Sequence, residues 1–380
     1  MKILRTHKVR IYPDEEQKLD LEKSFNLARF AWNTAWSEWN FEYNEYKNGN
    51  QKYPPNAKSL RNKFVKLVKP GRDWISKPSK EAYSNSILDL GKAWDSYFKG
   101  IAKGKPKLKS KRSAKKSYKV VSVGKNNLQF IQNRLYIPRF RKNNFIKTAE
   151  CSRFKGELKN VAISRKGDKY FASCLFQLDK VPQKQYKRSK NKTNIVGIDT
   201  GSRTLAHTSD NKEFKLNPVD KINKRINKTQ RKLSKQVRGS NNWIKTKIKL
   251  ENLYLKRSNS RLDDIHKATN YIVRNYNNIA LEKLKARNMI RNKKLARTIS
   301  ESYYYEFKRQ LDYKINYLRE RGATVELFLV DPRNTTKNCS NCGQWNDPGK
   351  SKTYHCNHCG VVMDRDFNAS LNIRCRAFGI

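Results

Sequence analysis

The sequence predicts a multidomain chain of mixed class. A helical region and a small antiparallel β region occupy the N-terminal half; an α/β domain with a mixed sheet and a cysteine-held metal module follow. Three observations predict this. Apolar residues recur at helical spacing from about Asp14 and lose that spacing at Gly104, where short strand-like runs begin. Beyond residue 194, short apolar strands alternate with long charged helices. Near the C-terminus, Cys339/Cys342 and Cys356/Cys359 form two CxxC pairs.

Residues 1–13 read as one strand, with Ile3, Val9 and Ile11 alternating before Pro13. Residues 14–103 read as helical. Trp32, Trp36 and Trp39 fall at i, i+4 and i+7, which fits a helix-packing stripe better than a base-stacking platform, since stacking needs no helical period. From residue 104 to 180 the runs SYKVV, NLQFI, RLYIP, ELKNVAIS and KYFASCLF are separated by turn residues, the pattern of a small antiparallel barrel or curled sheet. The segment opens on the basic loop GKPKLKSKR; Lys105, Lys107, Lys109, Lys111 and Arg112 are candidates for phosphate contact, with a solvated charge run as the plainer reading. Residues 181–193 lack periodicity and read as a linker. The α/β region then opens with IVGID and a polar, hairpin-like stretch to Leu216. Charged helices run to about Tyr276, followed by the strand NIALE, a helix to about Arg321 and the strand TVELFLV.

Lys and Arg total 84 against 33 Asp and Glu, a formal net charge of +51. That excess suits a polyanion with tens of phosphates; a duplex of roughly 20 base pairs carries about 40. Hydrophobic residues make up 37% of the chain, no long apolar run occurs, and MKILRTHKVRIYP lacks the apolar core of a signal peptide. The sequence therefore reads as a soluble cytoplasmic, nucleoid-associated nucleic-acid binder with no membrane role and no obligate protein partner. Seven cysteines, four of them in CxxC pairs, indicate metal rather than disulfides; Cys151, Cys174 and Cys375 read as small core residues.

Cys339, Cys342, Cys356 and Cys359 can wrap four thiolates around one Zn²⁺ with no open coordination position, which makes the ion structural. His355 and His358 read as spectators, although either could replace a cysteine. Three carboxylates carry the other chemistry. Asp199 ends the apolar strand IVGID, Glu282 ends NIALE, and Asp366 lies in DRDFNAS before a short helix. Locally they read as a turn aspartate, a strand-end glutamate and an N-cap. Together, carboxylates at the ends of two buried strands and one helix start repel one another unless divalent cations neutralise them. Mg²⁺ or Mn²⁺ suits such oxygen ligands, and a pair of these ions supports phosphodiester hydrolysis.

In order along nearly the whole chain, VRIYPDEEQ, GKPKLKSK, GIDTG, IALEKL followed by NM, LARTISESYYYEFKRQLDYK, DPRNTTKNCSNCG, YHCNHCG and DRDFNASLNI resemble the TnpB family of insertion-sequence RNA-guided nucleases, relatives of type V CRISPR effectors. The resemblance implies a wedge-like β-barrel in residues 1–13 and 104–180, with a helical recognition domain inserted at 14–103. It implies an RNase H-like RuvC nuclease domain at 194–330 and 363–380, with a zinc ribbon inserted at 331–362. Asp199, Glu282 and Asp366 (rather than Asp364) then become the catalytic Mg²⁺ or Mn²⁺ ligands, guide RNA and target double-stranded DNA the partners, and Arg333 a contact to the scissile phosphate. A non-cleaving guided repressor, a strand-transferring transposase and a CRISPR-associated miniature effector are the alternatives; the three acids argue against the repressor. Ser370 and Thr336 stand where alanine and serine are common in the family.

Overall fold

A computed structural model describes residues 3–111, 116–122, 128–138, 145–180, 193–201, 204–284, 304–349 and 351–380. The chain divides into two compact units, Met1–Pro182 and Gln183–Ile380. The expected linker lies almost wholly outside the described residues.

In the first unit, strand β1 (Ile3–Tyr12) buries alternate residues, with Arg5, His7, Val9 and Ile11 on its inner face. Helix α1 (Glu15–Lys47) starts at a capping box: Asp14 accepts from the Gln17 backbone N–H, and the Gln17 side chain accepts from that of Asp14. Helices α2 (Ala57–Lys63), α3 (Asp73–Ser76) and α4 (Lys80–Phe98) follow. Trp39 stacks on Trp94 of α4 with ring centroids 5.7 Å apart, and both are buried. The tryptophan stripe is thus a packing stripe. Gly91 lets α4 approach the α2 region, because a Cβ there would lie 2.5 Å from that of Ala57.

Six strands after the helices, β2 (Ser117–Val121), β3 (Gln129–Ile131), β4 (Arg134–Tyr136), β5 (Ile146–Thr148), β6 (Glu157–Lys166) and β7 (Lys169–Leu178), complete a sheet with β1. The order is β2-β6-β7-β1-β5-β4-β3, antiparallel throughout, and β1 pairs with β7 from Ile3 to Ile11. Among the described residues the edges β2 and β3 do not pair, so the sheet is open rather than a closed barrel. Strand β5, three residues long, is too short to show a period in the sequence.

In the second unit, β8 (Thr193–Asp199), β9 (Thr204–Thr208) and β10 (Glu213–Lys215) form an antiparallel meander. Helices α5 (Asp220–Ser234) and α6 (Asn241–Asn275) lead to β11 (Tyr276–Glu282); α7 (Tyr304–Arg319) leads to β12 (Glu326–Val330). The sheet order is β10-β9-β8-β11-β12, with β8, β11 and β12 parallel. The stretch expected to be a polar hairpin is buried along β9, including His207 and Thr208, because that strand lies inside the sheet. A two-stranded ribbon, β13 (Thr353–His355) and β14 (Val362–Asp364), precedes the last helix, α8 (Arg365–Phe378). Among the described residues no helix is long and apolar enough to cross a membrane.

Alternation divides the two faces of this sheet. Val196 and Ile198 of β8 and Ile279 and Leu281 of β11 join the core formed with Ile265 and Ile272 of α6 and Phe307 and Leu311 of α7. Gly197, Asp199, Ala280 and Glu282 therefore point to the opposite face. Helix α8 covers that face: a Cβ at Gly197 would lie 2.1 Å from the Ser370 carbonyl oxygen and 2.5 Å from the Arg374 nitrogen.

Candidate metal centres

The cysteine centre assembles from local sequence. Cys339, Cys342, Cys356 and Cys359 bring their sulfurs within 4.8 Å of one another, the one such group of three or more His, Cys, Asp or Glu among the described residues. Cys339 to Cys359 and Cys342 to Cys356 are each 3.7 Å. The edge of a tetrahedron with 2.3 Å zinc–sulfur bonds is about 3.8 Å, so the donor set fits Zn²⁺ in size and chemistry. His355 and His358 stay exposed and outside the group. Tyr354, fully buried between Cys339 and Cys356, donates its hydroxyl to the Lys337 carbonyl at 3.0 Å and closes the ribbon's small core. Of the single cysteines only Cys174 is a core residue. Cys151 and Cys375 are exposed, because one lies in a loop after β5 and the other on the outer side of α8.

The carboxylate centre assembles from distant sequence. Ile198 pairs with Leu281 in the parallel β8–β11 ladder, which leaves Asp199 and Glu282 side by side at the same strand ends and on the α8 face. Asp366 lies in the first turn of α8, whose cap is Asp364 rather than Asp366: the Asp364 carboxylate accepts from the backbone N–H groups of Asp366 at 2.8 Å and Phe367 at 3.2 Å. Asp364 is thereby occupied as a cap, with His207 Nδ1 at 3.5 Å and Lys352 Nζ at 3.6 Å from its oxygens. Among the described residues Asp366 has only Arg365 Nη2, at 3.4 Å.

Asp199 is 8% exposed and Glu282 6%. Burial, then the negative charges of Glu282 and Asp366, push the Asp199 carboxyl well above the ordinary aspartate range. Burial also raises Glu282, opposed by the Thr335 hydroxyl and by the charge of Arg376. Three acids thus share one field at the end of the sheet. Their oxygens do not close to the 4.8 Å spacing of the cysteine group. An all-oxygen, mutually repelling donor set, two of its acids buried and Asp366 half-buried, fits Mg²⁺ or Mn²⁺.

Sequence reasoning missed Thr335, whose hydroxyl donates to Glu282 Oε1 and which is 2% exposed. The only signal was a threonine four residues before Cys339, and Thr336 beside it drew the comparison instead. Arg333 is exposed two residues away, with its backbone N–H on Asp331 Oδ1 at 3.0 Å. In the first unit, Lys105, Lys107 and Lys111 are exposed, while Arg112 lies outside the described residues. Lys109 differs: its ammonium sits 3.4 Å from the centroid of the Trp32 ring, and burial lowers it to about 8. Trp32 Nε1 donates to the Lys107 carbonyl at 3.0 Å and Trp36 Nε1 to that of Pro106 at 2.7 Å, so α1 latches the basic loop through its backbone.

Three families match in sequence. One described as "Probable transposase" covers residues 176–293, one described as "Cas12f1-like, TNB domain" covers 304–373, and one described as "Helix-turn-helix domain" covers 1–48. The last stretch is here one strand and one continuous helix. The structure of Cas12f1 in its complex with guide RNA and target DNA aligns at TM-score 0.54 with 15% identity, over 98% of this chain and 99% of that one. Fold and site together define a protein with the architecture of Cas12f1. The "Putative RNA-guided DNA endonuclease InsQ" of Escherichia coli K12 is 28% identical over 98% of this chain and 92% of its own. The "TnpB-like protein L770" of Acanthamoeba polyphaga mimivirus is 26% identical over 97% of this chain and 72% of its own. Over nearly its whole length the chain is thus similar to proteins named as TnpB-like or as putative RNA-guided DNA endonucleases.

Proposed function

We propose that this chain is an RNA-guided DNA endonuclease of an insertion sequence, acting inside a bacterial or archaeal cell. Asp199, Glu282 and Asp366 would be its Mg²⁺ or Mn²⁺ ligands, and Cys339, Cys342, Cys356 and Cys359 its structural zinc ligands. The observation that carries the reading is Asp199: a buried carboxylate raised by two neighbouring acids, in a chain of net charge +51. A buried cluster of carboxylates is costly through desolvation and mutual repulsion unless cations are recruited there, and phosphodiester hydrolysis needs them. Full-length similarity to named RNA-guided endonucleases supports the guide and the DNA target.

When bound, the divalent ions would activate the attacking water and stabilise the leaving oxygen. The chain's own residues supply the frame. The β8–β11 ladder fixes two acids in register, and α8 brings the third against them. Arg333, which is exposed, would meet the scissile phosphate. Exposed Lys105, Lys107 and Lys111, with Arg112, would contact backbone phosphates, each adding about 0.9 to the salt slope on duplex DNA. Lys109, held on Trp32, would add less. The helical recognition, RuvC and zinc-ribbon assignments complete the reading, with the open seven-stranded sheet in place of the expected barrel.

The test is expression with the native flanking DNA, sequencing of copurified RNA, and a Mg²⁺ cleavage assay on DNA matching that RNA. One discrete RNA with a tail beyond the element boundary, and cutting abolished in Asp199→Ala with binding retained, is the expected result. Binding without cutting by the unaltered protein would make it a repressor, and joined DNA ends would make it a transposase.

A further inference from the structure

Between the two metal centres runs the segment 331–340, and its hydrogen bonds go to both. Thr335 and Cys339 are buried in this stretch, and the residues around them are half-buried or exposed. Its hydroxyl lies near two acceptors, Glu282 Oε1 and the Pro332 carbonyl at 3.1 Å; the contact to Glu282 is the shorter. Asn372 of α8 donates its Nδ2 to the Thr335 carbonyl at 2.8 Å and to that of Asn338 at 2.7 Å. Asn368, one turn earlier, donates to the Asn338 carbonyl at 2.8 Å and accepts from the Ser340 N–H at 2.9 Å. Arg376 donates to the Asp331 carbonyl at 2.8 Å. Three side chains of the helix that carries Asp366 therefore pin the segment that leads into Cys339.

Glutamate has three side-chain torsions, and the last is broad, so burial alone does not fix where its oxygens point. Here the backbone of Glu282 is held by strand pairing to β12 and by the Tyr304 hydroxyl on its carbonyl. The carboxylate plane is held at Oε1 by Thr335. Among the described residues Oε2 makes no hydrogen bond, which leaves it as the oxygen available to a cation.

We infer that Thr335 is a positioning residue for Glu282, and that the base of the cysteine ribbon, pinned to α8 by Asn368 and Asn372, is the scaffold that holds it. The inference rests on the reading of Asp199, Glu282 and Asp366 as a divalent-metal site. It also gives the ribbon a role within its own unit: its first knuckle starts four residues after the threonine, so folding around the cysteines fixes the clamp on the second acid.

The test uses the full-length protein with Mn²⁺ alone as probe, free Mn²⁺ being followed by electron paramagnetic resonance. The Asp199→Asn variant defines binding elsewhere on the molecule and is subtracted. Thr335→Val keeps the side-chain shape and removes the hydroxyl; Thr335→Ser keeps the hydroxyl. Outer partners of metal ligands typically change affinity about 10- to 100-fold. Thr335→Val should weaken Asp199-dependent Mn²⁺ binding by that range and raise the Mg²⁺ concentration for half-maximal cleavage in parallel. Thr335→Ser should stay within about threefold of the unaltered protein, and zinc content should be unchanged in both. Asn372→Ala, which loosens the segment without touching Glu282, should give an intermediate loss and serves if the valine variant fails to fold. Mn²⁺ affinity in Thr335→Val within about twofold of the unaltered protein would overturn the inference alone. Identical Mn²⁺ binding by the unaltered protein and Asp199→Asn would overturn the metal-site reading, and the inference with it.

Discussion

The two candidate metal centres of the second unit are opposite solutions to holding a cation. The cysteine centre draws its four ligands from 339–359, closes to 3.7 Å sulfur contacts and is covered by one buried tyrosine. The carboxylate centre draws on residues 199, 282 and 366, from two strands and a helix, and stays open and electrostatically strained. Local ligands with a closed tetrahedron make a structural site that folds with its ion. Distant acids that repel one another are costly to hold together unless a cation neutralises them.

The sharpest way to break this contrast is to neutralise the strained site. Asp199→Asn should lower guided Mg²⁺-dependent cleavage by at least about a thousandfold, since losing metal stabilisation removes several kcal/mol. The same change should leave zinc content untouched, as measured by atomic emission. The next largest effect belongs to the closed site. Cys356→Ser should reduce zinc from one equivalent to near none and expose 331–364 to limited proteolysis, whereas excess EDTA at neutral pH should abolish cleavage by sequestering Mg²⁺ before zinc is lost.

A third change strikes the packing that brings Asp366 to the sheet. Gly197→Ala puts a methyl where the α8 backbone already lies, and should destabilise by about 1–3 kcal/mol, read as a lowered denaturation midpoint. Retention of the full midpoint would mean that α8 does not sit on β8 as described. The smallest effect distinguishes strain from structure. A carboxyl whose folded pKa is raised stabilises the fold below its unfolded value, and that contribution is lost as pH rises toward the folded value. In metal-free protein, Asp199→Asn should therefore match the unaltered chain near pH 4 and become the more stable of the two as pH rises, read as a difference in denaturation midpoint that grows toward neutral pH. Added Mg²⁺ should erase the difference. An Asp199→Asn variant less stable at pH 7 without metal would show that the acids do not repel.

How much of this was readable beforehand varied with sequence distance. The cysteine ligands were legible from spacing, because thirteen residues between two CxxC pairs allow a short hairpin to close. The strands IVGID and NIALE were legible as apolar runs ending in acids. The tryptophan stripe of α1 was legible from its period. The latching of the basic loop by Trp32 and Trp36 was not, since it bonds side chains to the backbone of residues about 70 positions away. Cys151 and Cys375 read as core and are exposed: cysteine's average burial says nothing about a given loop or helix face. Asp364 and Asp366 are both plausible caps by residue type, and only backbone geometry decides that Asp364 is the cap.

The sequence by itself determined the donor chemistry of each candidate centre, because thiolate and carboxylate are written in residue type, and determined that three acids end or begin regular elements. Tertiary structure alone decided that those acids meet. Strand parity puts Asp199 and Glu282 on the face opposite the α6–α7 core, and a glycine at 197 admits α8 against that face. A threonine from the ribbon's base then fixes one carboxylate. None of these depends on a local pattern, since each is a contact between residues that only the folded chain makes neighbours.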